Sequence, residues 1–216
     1  MILVYVVVKS YHELQTFKSA FLSWTGEEGY MTNGKREDFY RVRAKEIADF
    51  LKATNSIKDN PYVERILQDP HQIVDVILSK LQVGTEYQQI KGIQKKYLKA
   101  DFISNAAVAA IKRRKPKIPL VYEHLVPKKS EIFEKLKELA TTMPSDLEDK
   151  IFQLLMDYYF VATITKEEDK NRLAKNLKKA MPENWDKKDP FARYKAAGLY
   201  DELSETGLFE DRILND

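Results

Sequence analysis

The sequence predicts an α+β fold, mostly helical, with one small two-stranded element. Long stretches place apolar residues at helical spacing, as in Phe39, Val42, Ile47, Phe50 and Leu51. Two short runs instead concentrate β-branched and aromatic residues. One lies between Ile118 and Pro127, punctuated by prolines, and the other spans Tyr158 to Thr165. The second run leads directly into Thr165-Lys166-Glu167-Glu168, a Thr cap with Glu three residues on, which opens a helix.

In chain order, residues 2–8 read as a short strand or helical lead-in, followed by a helix to about Trp24. Glycines and Asn33 make 25–34 a loop. A helix is predicted from about Lys35 to Ala53, with Phe39, Val42, Ile47, Phe50 and Leu51 inward. After a turn ending at Pro61, short helices cover roughly 62–67 and 70–81. From Thr85 to Ile111 the pattern is helical, with a break near Asp101. The strand over 118–127 follows. Two amphipathic helices, Ser130 to Thr142 and Ser145 to Met156, are separated at Met143-Pro144 and capped by Ser130 and Ser145. The second strand then feeds a helix whose apolar positions are Leu173, Ala174, Leu177 and Met181. A last helix of about ten residues starts at Asp189-Pro190 and stops at Gly198, and the tail from Asp201 is acidic.

The chain has 216 residues, of which 44% are hydrophobic and 32% charged, for a formal net charge of +3. That composition suits a soluble globular protein and gives weak overall support for a polyanionic partner. Cysteine is absent, which excludes disulfides and thiolate metal sites and suits a cytoplasmic setting. The apolar run Ile2–Val8 is too short to cross a bilayer and lacks the features of a secretory leader, so no membrane partner is expected.

The residues that point to chemistry are Glu123 and His124, adjacent in the first strand and therefore directed to opposite faces. Asp169 sits at the edge of the apolar face of the later helix, where an inward carboxylate needs a cationic partner. Cations surround the first strand. Lys112, Arg113, Arg114, Lys115 and Lys117 precede it and Lys128 and Lys129 follow it, while Lys91, Lys95 and Lys99 mark one helix face. Such a run is either a solvated face or a track for phosphates. Arg193 and Tyr194 either contact a phosphate or pack. His12 and His71 stand without a partner motif.

The run Glu123-His124-Leu125-Val126-Pro127 resembles the first strand of the HNH (ββα-metal, His-Me finger) endonucleases, an acid followed by His and then apolar, apolar, Pro. Ile164-Thr165-Lys166-Glu167-Glu168-Asp169 is similar to that family's closing strand and helix, with Asp at the final His position. The family's middle Asn has no clear counterpart. The resemblance implies a two-stranded ββα-metal core over 118–181 with a helical-hairpin insertion. A helical part with a basic face (1–117) would precede it and a helical extension (182–216) would follow, all within one domain. It further implies that His124 is the general base and that Glu123 and Asp169 hold Mg²⁺ or Mn²⁺. The chain would then be a metal-dependent endonuclease acting on DNA, with RNA not excluded, in restriction or phage defence. The alternatives are a non-catalytic helical nucleic-acid-binding or regulatory protein with a structural acid-His pair, or an interaction module using the acidic tail.

Overall fold

The computed structural model describes residues 33–56, 78, 89–90, 93–98, 100–113, 119–173 and 176–206. The chain divides into two compact units, Met1–Met31 and Thr32–Asp216, and every described residue belongs to the second. The elements expected before Asn33, those near 62–67 and most of 70–81, and the residues His12, His71, Lys91, Lys99, Arg114, Lys115 and Lys117 lie outside the described residues.

The described elements begin with α1 (Asn33–Asn55), a minimal hairpin of β1 (Gln89–Ile90) and β2 (Ile93–Gln94), and α2 (Lys95–Leu98). Then come β3 (Phe102–Ser104), α3 (Asn105–Lys112) and β4 (Leu120–His124). A π-helical turn (Lys128–Ile132) leads into α4 (Phe133–Thr142), followed by α5 (Leu147–Tyr158), β5 (Val161–Thr165) and α6 (Lys166–Asn171). The described chain closes with α7 (Ala192–Ala196), a 3-10 turn (Tyr200–Glu202) and β6 (Leu203–Glu205).

This is a mixed helix-and-strand architecture, but its main sheet has four strands where two were expected. Their order is β4-β5-β3-β6. The two predicted strands do pair antiparallel, with Glu123 opposite Ala162 and His124 opposite Val161. β3 joins β5 in parallel and β6 joins β3 antiparallel. Both added strands are three residues long, too short to show an alternating pattern. β3 interrupts a stretch read as helix, and β6 lies in the tail read as acidic. Ser104 ends β3 by capping α3, accepting a hydrogen bond from the Ala107 amide at 3.1 Å.

Three apolar clusters hold the fold. The largest joins Tyr40, Ala44, Ile47 and Leu51 of α1 to Leu136 of α4 and to Ile151 and Leu155 of α5, reaching the sheet at Val161. Leu98, Ile103, Ala107 and Ile111 pack α2, β3 and α3 together. On another side, Ala162 and Ile164 of β5 meet Leu125, Leu173, Tyr194 and Leu199. Alternation along β5 thus sends Val161 and Ala162 into different clusters. Val42, expected inward, is 45% exposed, and Ala44 and Ala48 occupy the contact instead.

A buried ion pair ties the helices to the sheet. Asp101 lies 3.6 Å from the Arg36 guanidinium and accepts the Val161 amide at 2.8 Å. Burial raises the Asp101 carboxyl to about 6, with Arg36 and the Val161 amide opposing the rise. Arg36 also donates to the carbonyls of Met156 and Tyr159 and lies 3.9 Å over the Phe160 ring.

Several local expectations change. The helix opened by Thr165 ends at Asn171 rather than continuing to Met181. The N-cap of α5 is Asp146, not Ser145, and Ser130 donates to the Lys179 carbonyl instead of capping a helix. Gly198 does stop α7 as expected. At φ +66° it adopts the left-handed region, its amide donates to the Lys195 carbonyl (3.0 Å), and the Leu199 amide donates to the Tyr194 carbonyl (2.8 Å).

Truncating Leu155 to Ala should lower unfolding stability by roughly 2–5 kcal/mol, because its whole side chain is buried between helices. Val42→Ala should stay within about 0.5 kcal/mol of the parent. Urea denaturation of the three proteins compares these values directly.

Candidate functional site

The candidate site is built where β4, β5 and α6 meet, because that is where the predicted residues fall. Thr165 and Glu168 form the predicted capping box, with the Thr165 hydroxyl accepting the Glu168 amide and the Glu168 carboxylate accepting the Thr165 amide. Glu168 is buried and also accepts the Ser104 hydroxyl at 2.8 Å, so one carboxylate links the starts of α3 and α6. One of its oxygens, Oε1, remains buried without a partner.

The capped helix brings Asp169 toward β4. Asp169 is 18% exposed and forms an ion pair with Lys178 at 2.7 Å. Glu123 is 25% exposed and pairs with Arg193 at 2.9 Å. Burial raises the pKa of Glu123, the Arg193 charge lowers it, and the Asp169 carboxylate raises it again. Lys178 acts on Glu123 as well. Glu123 and Asp169 thus each carry their own cation, and the Asp169 charge is felt at Glu123.

His124 is not brought into that group. It lies on the opposite face of β4, with its ring edge-on to Tyr159 (4.8 Å between centroids) and beside Tyr122 (6.3 Å). The residue as a whole is half-buried, yet its Nδ1 is buried and has no hydrogen-bond partner. Burial first, then the charges of Lys128 and Arg193, push its pKa down to about 3. The imidazole is therefore neutral across the physiological range.

Arg193 is the functional group that sequence reasoning left between two roles. It is fully buried, so it packs and does not reach for a phosphate. Its Nε donates to the Leu125 carbonyl at 3.1 Å, and Nη1 to the carbonyls of Leu177 (3.0 Å) and Lys178 (3.2 Å). Nη2 donates to Glu123 and to the His124 carbonyl. The carbonyls of 177 and 178 turn to Arg193, and Pro182 has no N–H to offer Lys178 in a helix. Beside it, the Tyr194 hydroxyl is buried without a partner.

Among the basic residues, Lys112, Arg113 and Lys129 are exposed, while Lys128 is partly covered and stands 5.7 Å over the Phe133 ring. Among the described residues no group of three or more acidic, His or Cys side chains converges on a metal position. Glu123 and Asp169 nonetheless fit Mg²⁺ in donor chemistry. Mg²⁺ takes one or two carboxylates and fills its other positions with water and substrate oxygens. The Lys178 ammonium pairs with Asp169 and the Arg193 guanidinium with Glu123. No family model, curated protein or solved structure matches the chain.

Removing Arg193 leaves Glu123 and four carbonyls without their donor. Arg193→Met should therefore destabilise by roughly 3–5 kcal/mol in urea unfolding. Adding Glu123→Leu to it should recover part of that loss.

His124 and Asp101 give opposite pH signatures. The His124 pKa is lowered from 6.5 to about 3, so its stabilisation is complete above 6.5 and is lost as the pH falls toward 3. The Asp101 pKa is raised from 3.8 to about 6, so its stabilisation is complete below 3.8 and is lost as the pH rises through 6. Between pH 4 and 6 the two slopes, each about 1.4 kcal/mol per pH unit, nearly cancel. His124→Phe should gain stability relative to the parent as the pH falls through that window, and Asp101→Asn should lose it. Chemical denaturation at stepped pH reads both.

Proposed function

We propose that the protein is a nuclease that hydrolyses phosphodiester bonds, with DNA as its first substrate class and His124 as general base. The observation that carries the reading is that Glu123 and Asp169 lie close enough for the charge of one to act on the other. The two residues come from separate segments, each is paired with a cation, and the Asp169 charge acts on Glu123, the neighbour of His124. The succession of two antiparallel strands and a capped helix supports it.

In this reading neutral His124 accepts a proton from the attacking water. An imidazole with a pKa near 3 is a weak base. Burial is the largest cause of that depression, and a phosphate drawn to Lys128 would offset the smaller contribution of the positive charges. His124 and Glu123 occupy opposite faces, so the scissile phosphate would straddle the last residues of β4, which is an edge strand among the described residues. A divalent ion held by Glu123 and Asp169 would supply Lewis-acid stabilisation of phosphoryl charge. Glu123, in turn, would be held in place by Arg193. Lys112, Arg113, Lys128 and Lys129 would track the backbone, together with Arg114, Lys115 and Lys117.

The second reading is a non-catalytic nucleic-acid-binding or regulatory protein. It is favoured by the fact that Glu123 and Asp169 each already have a cationic partner.

Incubation of purified protein with supercoiled plasmid, with Mg²⁺ or Mn²⁺ and with chelator, separates the two. The nuclease reading expects nicking that needs the metal and falls by on the order of 10²–10⁴-fold in His124→Ala, with binding retained. Binding without metal-dependent nicking, or equal nicking by His124→Ala, overturns it in favour of the second reading.

A further inference from the structure

At the far edge of the sheet from β4, Phe102, Phe191, Tyr200 and Leu203 line a cavity of about 260 Å³, and exposed Asp201 and Glu205 complete its lining. The rings meet edge to face, with centroids 5.1 Å apart for Phe102 and Phe191 and 5.2 Å for Phe191 and Tyr200. Tyr200 is 40% exposed, and Lys195, held by Asp189 at 2.8 Å, stands 4.8 Å over its ring, a cation–π arrangement. Neither Asp201 nor Glu205 forms an ion pair among the described residues.

We propose that this cavity binds an arginine side chain presented by an extended basic peptide of a partner protein. Its volume is below the roughly 300–1,000 Å³ of pockets that take whole small molecules, and suits a single side chain. Aromatic walls and two carboxylates are complementary to a planar cation. Guanidinium stacks on rings and pairs with carboxylates at once, which an ammonium does less well. The carboxylates repel phosphates, which excludes nucleic acid at this edge. Among the described residues β6 pairs with β3 alone, so an extended segment can add along its outer edge while its arginine enters the cavity. The site is separate from the nuclease reading and does not depend on it.

The test is titration of the isotope-labelled full chain with the peptide Gly-Gly-Arg-Gly-Gly, followed by amide NMR shifts. The neutral citrulline analogue and free spermidine serve as comparison probes. The expected result is saturable shifts at Tyr200, Asp201, Leu203 and Glu205, with the citrulline peptide and spermidine binding at least about tenfold more weakly. Tyr200→Leu, and Asp201→Asn combined with Glu205→Gln, should each weaken the arginine peptide on the order of tenfold while the remaining spectrum is unchanged. Absence of shifts at those residues overturns the proposal, as does equal binding of the citrulline peptide or unchanged affinity in folded variants. Spermidine binding as tightly as the arginine peptide overturns the peptide assignment in favour of a small polycation.

Discussion

A guanidinium with no access to water must find acceptors for its N–H groups inside the protein, and much of this structure follows from how Arg193 does so. Its donors reach the end of β4 through Glu123, His124 and Leu125, and the turn after α6 through Leu177 and Lys178. One side chain on a five-residue helix thereby fixes three segments against each other. The helix is fixed in turn by the left-handed Gly198, whose carbonyl accepts a bond from Arg172. The same Arg172 pairs with Glu202 just before β6, so the restraint extends from α6 to the opposite sheet edge.

Arg36 plays a parallel part between the helices and the sheet. It joins Asp101, at the start of β3, to the carbonyls that end α5. Asp101 meanwhile caps the first amide of β5. The central strands β3 and β5 are thus located by side-chain charge at one end and by the Glu168 network of Ser104 and Thr165 at the other. Short strands joined in parallel need such fixtures, since β3 contributes only three residues to its ladders. Both charge pairs are half-buried or deeper, where removing one partner is costly although the intact pair adds little over an apolar contact.

The near-neutral net charge conceals a division between the two edges of the sheet. Beyond β4 stand Lys128 and Lys129, and the neutral His124 faces away from the acid pair. Along β6 stand Asp201 and Glu205 around an aromatic cavity. An edge with cations is suited to phosphates, and an edge with carboxylates and rings to cationic side chains. The two proposed sites therefore call for partners of opposite charge.

Within the sequence itself lay the features that depend on near neighbours. The strands around Glu123 and over 161–165, the Thr165 capping box, the amphipathic α4 and α5 and the Gly198 stop each rest on residues within a turn or two, where spacing and backbone preference act directly. What only the tertiary structure decided were the choices made by distant partners. Arg193 is drawn inward by acceptors on two segments, the end of β4 and the turn at Leu177 and Lys178. Glu123 takes its cation from Arg193, 70 residues along the chain, and Asp169 from Lys178, nine residues on. Two three-residue strands form because a sheet edge is there to receive them. His124 faces the aromatic side because the strand register, set by Val161 opposite it, leaves its imidazole no other face.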